Sequence, residues 1–129
     1  MNIILNIILT GTIMVIIDYF YLSYVSKYFN MMLTNIQGSS IKLDFISAAL
    51  CYLTLVFGIY YFIISRNESV LNAMILGWII YFVYEFTNKA IIKKWSWMSV
   101  IIDGVWGGFL FGITTMLVYY LNGIKIRFI

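Results

Sequence analysis

The 129-residue chain contains no histidine, no proline and one cysteine, and only 10% of its residues are charged. Each shortage removes some chemistry. Without imidazole there is no His-ligated haem, no His-based zinc site and no imidazole general base. Cys51 has no partner for an intrachain disulfide and cannot by itself build a thiolate metal site. Without proline, any kink or break in a helix has to come from glycine or an inserted polar group. The charges, net +3, lie in short segments beside apolar runs, which suits contact with lipid head groups and not with nucleic acid. Nothing in the composition indicates a cofactor or a catalytic constellation.

Apolar residues dominate: 64% of the chain is hydrophobic, 19% aromatic, and the mean hydropathy is +0.98. Soluble domains run near 45–50% apolar and about 25% charged. A small chain cannot bury so much apolar surface in a core of its own, so lipid must receive it. The expectation is an integral membrane protein, an all-α, four-helix transmembrane bundle with spans at about 2–25, 44–65, 70–88 and 97–121. These form a single membrane domain and leave no room for a soluble one.

Between the first two spans, residues 26–43 mix Lys27, Asn30, Asn35 and Lys42 with Tyr28, Phe29, Met31, Met32 and Leu33. That mixture predicts a short helix lying in the membrane interface. In the second span Ser47, Cys51, Thr54 and Gly58 form a small-residue stripe, and in the fourth Gly104, Gly108 and Gly112 form another. Both stripes predict close helix contact, with Cys51 a packing residue. Lys89, Lys93, Lys94, Trp95 and Trp97 mark a membrane boundary between the last two spans.

The chain has five acids. Asp44 and Glu68 stand at predicted helix ends, where capping accounts for them. Asp18, Glu85 and Asp103 lie inside spans, where an acid costs about 2.5–3.5 kcal/mol to insert and usually faces the bundle interior. Counting helix rise from the span ends puts all three roughly 6–9 Å below one membrane face. Chance would scatter them over both leaflets. Tyr81, Tyr84, Glu85 and Asn88 share a helix face by their spacing, and Lys89 follows Glu85 in the favourable order for an ion pair. Asp103 shares a face with Trp106, whose indole N–H is a donor for a carboxylate.

These residues resemble a family of small membrane proteins, domain-of-unknown-function family 2177. Its pattern has Asp-x-x-Trp-Leu at the end of the first span, Tyr-Asp-x-Thr-Asn-x-Ala before a loop Trp, and Asp-x-x-Trp-Gly in the last span. Here the matching stretches are Asp18-Tyr-Phe-Tyr21-Leu22, Tyr84-Glu85-Phe86-Thr87-Asn88-Lys89-Ala90 with Trp95, and Asp103-Gly-Val-Trp106-Gly107. Tyr21 stands where the pattern has Trp, Glu85 where it has Asp, and Ser96 where it has Pro. The resemblance implies four spans and an acid-bearing site, and it implies no particular reaction.

Three functional readings follow from the acids. Asp18, Glu85 and Asp103, supported by Asn88, Tyr84, Trp106 and Tyr21, would bind or pass a proton or small cation, since oxygen-only ligands suit hard ions. A channel of this kind would need several copies around an axis, hence a homo-oligomer. Alternatively the cluster would bind or modify a membrane lipid at head-group depth, with crowded acids supplying a general acid. The third reading is a structural subunit of a larger membrane assembly or virion, its acids pinning helices together.

Overall fold

The computed structural model describes residues 2–129 and contains four long helices: α1 (Ile3–Gln37), α2 (Phe45–Phe62), α3 (Val70–Ile91) and α4 (Trp97–Leu121). All four are long and apolar enough to cross a membrane, and the architecture is an all-helical multi-pass bundle. Side-chain oxygens cap the starts of all four long helices. Asn2, Asp44, Ser69 and Ser96 accept from backbone N–H groups in the first turns of α1 to α4, as N-cap residues do.

α1 corrects the expectation of a separate interfacial helix. Its 35 residues run unbroken for about 52 Å, well beyond a hydrocarbon core of about 30 Å. No glycine or proline interrupts residues 12–37, and the helix ends where Gly38 turns left-handed (φ 76°) and returns its N–H to Thr34. The outer turns rest on the α3–α4 connection. Tyr28 and Ser96 share a hydroxyl hydrogen bond of 2.6 Å, and Lys94 Nζ donates to the Asn35 carbonyl at 3.4 Å.

α4 is the central helix: half of its apolar window is buried, against 17–22% in the other three. Its glycines make this possible. Phe82, Trp78 and Met74 of α3 occupy the space beside Gly104, Gly108 and Gly112, where a Cβ would otherwise stand. Gly77 of α3 approaches the Gly107 carbonyl closely enough that neither position has room for a side chain. Four-residue steps on α3 thus meet four-residue steps on the antiparallel α4, a small-residue seam of the kind lipid-embedded helices use.

The stripe on α2 does not behave that way. Ser47, Cys51 and Thr54 are exposed on the bundle surface, and nothing lies within 4 Å of where a Gly58 Cβ would be. α2 packs through Leu55, Val56 and Ile59 instead, and the glycine that admits it is Gly11 of α1, facing Val56. Small residues permit close approach without compelling it; the larger side chains on the adjoining face of α2 are the ones that meet the bundle.

Beyond α4 the chain runs back across the start of α3. The carbonyls of Arg127 and Phe128 accept from Val70 N (2.9 Å) and Leu71 N (2.8 Å), satisfying first-turn donors that a helix cannot pair internally. Tyr119 OH donates to the Glu68 carbonyl at 2.8 Å and fastens α4 to the same turn.

Candidate functional site

Hydrogen bonds from aromatic donors bring residues of all four helices together. Asp18 of α1 is 6% exposed. Its Oδ1 accepts from Trp106 Nε1 of α4 at 2.9 Å, and its Oδ2 accepts from Tyr52 OH of α2. One turn along α1, Tyr21 OH donates to Asp103 Oδ1 at 3.1 Å, while its ring stacks on Trp106. Asp103 is partly buried and its carboxyl is in side-chain contact with Glu85 of α3. Glu85 is wholly buried. Its Oε1 accepts from Trp95 Nε1 at 2.9 Å, and its Oε2 has no donor.

Indole and phenol groups suit these places because each offers one donor on a large apolar body. A lysine would bring three donors and a charge to dehydrate. The expected Glu85–Lys89 ion pair is absent from the structure, because Glu85 turns inward to Trp95 while Lys89 leans outward, its Nζ 5.5 Å from the centre of the Trp97 ring. The spacing that makes i,i+4 neighbours places both residues on adjoining faces, and burial separates them.

The remaining expected residues sit at the edge. Tyr84 is exposed along one side and meets Trp95 edge-on, with centroids 6.2 Å apart. Asn88 lies beside Tyr84, one turn nearer the loop, and the bonds to the acids come from Tyr21, Tyr52, Trp95 and Trp106 instead. Two donors escaped the reading of the sequence. Trp95 is 5% exposed although it sits in the same aromatic-basic segment as Trp97, at 60%. Tyr52 falls just off the small stripe of α2, and because Ser47, Thr54, Tyr60 and Tyr61 of the same helix also carry hydroxyls, the sequence does not single it out.

Two clefts reach the acids. One, of about 350 Å³, lies between α1 and α3 and has Glu85, Asp103, Tyr21 and Trp95 at its inner end. The other, of about 340 Å³, lies between α2 and α3 and touches Asp103, Tyr81 and Cys51. Asp103 borders both. Among the described residues, no three acidic or cysteine side chains converge closely enough to hold a metal ion, so Asp18, Glu85 and Asp103 do not form a three-ligand cage.

Ser96, in the position where the family pattern has Pro, caps α4 by accepting from Ser99 N at 3.0 Å. A proline at N-cap would supply the fixed φ and lose this bond. The pattern of one protein family, described as predicted membrane protein (DUF2177), matches residues 3–120. No curated protein and no solved structure matches the chain.

Proposed function

Since the chain belongs to this family of predicted membrane proteins, described by membrane location and by no reaction, we propose from its own geometry that it binds and exchanges a proton at the Glu85–Asp103 pair. The observation that carries the reading is Glu85 Oε2, a wholly buried carboxyl oxygen with no donor, beside a second carboxyl. Carboxylate oxygens only accept, so two carboxyls in contact are held together by a proton on one of them. An unprotonated pair would place two like charges together in a low-dielectric interior, in a cleft that no Lys or Arg lines. The separation of the acids into a pair and an outlying Asp18 favours the proton over a hard metal ion, which needs more oxygens around it.

A structural role accounts for Asp18, both of whose oxygens are taken by donors. It leaves Glu85 Oε2 unexplained. The test uses purified protein in vesicles loaded with a pH-sensitive dye, together with infrared spectra of the protein. The native protein should dissipate an imposed pH gradient and show the carbonyl stretch of a protonated carboxylic acid. Glu85→Gln and Asp103→Asn should each abolish the first, and Glu85→Gln should alter the second. Native vesicles that hold the gradient as empty ones do, with no protonated carboxyl in the spectrum, would overturn the reading.

A further inference from the structure

The cleft between α1 and α3 has a composition that proton exchange does not need. Its inner end carries Glu85 and Asp103, and four aromatic side chains, Tyr21, Phe29, Tyr84 and Trp95, line its walls. No Lys or Arg lines it. Of the nearby bases, Lys89 lies over Trp97 and Lys94 bonds the Asn35 carbonyl, while Lys27 borders an adjoining groove that shares Asn30 with the cleft. Farther out, Leu22, Val25 and Leu33 of α1 provide an apolar flank, and Ser26 and Asn30 stand among them.

We propose that this cleft binds a singly charged organic cation, an amine or quaternary ammonium group carrying an apolar arm. The proposal rests on the proton-sharing reading for its charge, because two carboxyls holding one proton retain one negative charge. No Lys or Arg lines the cleft to neutralise that charge, and an uncompensated charge inside a membrane is costly. Aromatic faces attract cations through their quadrupoles and are the usual lining for quaternary ammonium groups. A metal ion would find oxygens too few and ring faces useless. An anionic head group would meet repulsion at the inner end. The sign of a ligand that does not depend on the proton is the cleft itself, walled by four aromatic rings and lined by no base, with the wholly buried Glu85 among its lining residues. The volume, about 350 Å³, lies at the lower end of small-molecule sites. The apolar flank along α1 would take the arm.

The test measures binding of butyltrimethylammonium to the full chain in non-ionic detergent, by calorimetry, with butanesulfonate as the anionic control. The native protein should bind the cation and ignore the anion. Glu85→Gln combined with Asp103→Asn should abolish binding, and Tyr84→Leu should weaken it by about tenfold through loss of one aromatic face. Tyr84 is half exposed, so that variant keeps the fold even if the double one does not. Equal binding by the native, double and Tyr84→Leu proteins, or no binding by the native protein, overturns the inference. In either case a pH gradient that is still dissipated leaves the proton reading standing, whereas cation binding with no proton exchange removes the proton reading alone. Displacement by dihexanoylphosphatidylcholine would identify a lipid head group as the source of the cation, and its failure a free amine.

Discussion

Trp106 lies flat against Tyr21, with ring centroids 4.5 Å apart and planes 8° from parallel, and the two rings spend their polar atoms on different acids. Trp106 donates to Asp18 and Tyr21 to Asp103, so one stacked pair from α1 and α4 crosses over to hold a carboxyl on each helix. Stacking fixes both rings at once, and the hydrogen bonds then fix the register of the helices.

Trp106→Phe keeps an aromatic face for Tyr21 and removes the donor to Asp18. Leaving a buried carboxyl oxygen without its donor predicts destabilisation of about 1–3 kcal/mol, read from unfolding in detergent. Adding Tyr52→Phe, which removes the other Asp18 donor, should cost less than additively once Asp18→Asn is present. Full additivity in that background would show that the two donors do not act through Asp18.

The glycines separate by what surrounds them. Gly77→Ala pushes a methyl into the Gly107 carbonyl and should cost about 1–3 kcal/mol. Gly58→Ala meets nothing and should be neutral or stabilising, because alanine favours the helix. In the same assay Gly108→Leu, against Trp78, should destabilise far more than Ile113→Leu on the exposed side of α4. Equal losses would place the seam elsewhere.

A continuous α1 has a measurable length. Spin labels at Thr12 and Asn35, in a Cys51→Ala background, should lie about 35 Å apart, since 23 residues rise 1.5 Å each. Both positions are exposed and tolerate a label. A markedly shorter distance would mean that the outer part of the helix bends down onto the membrane.

Asp44 contributes a pH dependence outside the membrane. Its carboxyl accepts from the Ser47 hydroxyl at 2.7 Å and from the Ser47 and Ile46 amides, and these donors, the Ser47 hydroxyl foremost, hold it below the usual carboxylate range. A carboxyl whose folded pKa is depressed stabilises the fold above its unfolded value and loses that contribution as pH falls through the folded one. Stability should therefore decline below about pH 4, and Asp44→Asn should flatten that decline. An unchanged acid limb in Asp44→Asn would assign the decline to other acids.

Composition and spacing were enough to establish membrane residence, four apolar helices long enough to span a membrane and the glycine face of α4. Those features are local: hydropathy sums over a window, and a four-residue repeat marks one side of one helix. The same spacing misled for α2, where small residues face outward, because a helix apolar on every side carries no pattern that says which side meets protein and which meets lipid. It also could not show that α1 runs on through Gln37, since a mixed polar and aromatic segment suits either an interfacial helix or a projecting one, and only its contacts with Ser96 and Lys94 decide. The pairing of donors with acids was least legible. Trp106 and Asp18 lie 88 residues apart, Tyr21 and Asp103 lie 82 apart, and which meets which depends on the rotation of each helix about its axis. Packing against Gly77, Gly107 and Gly11 sets that rotation, and through it the burial of Glu85 Oε2 without a partner.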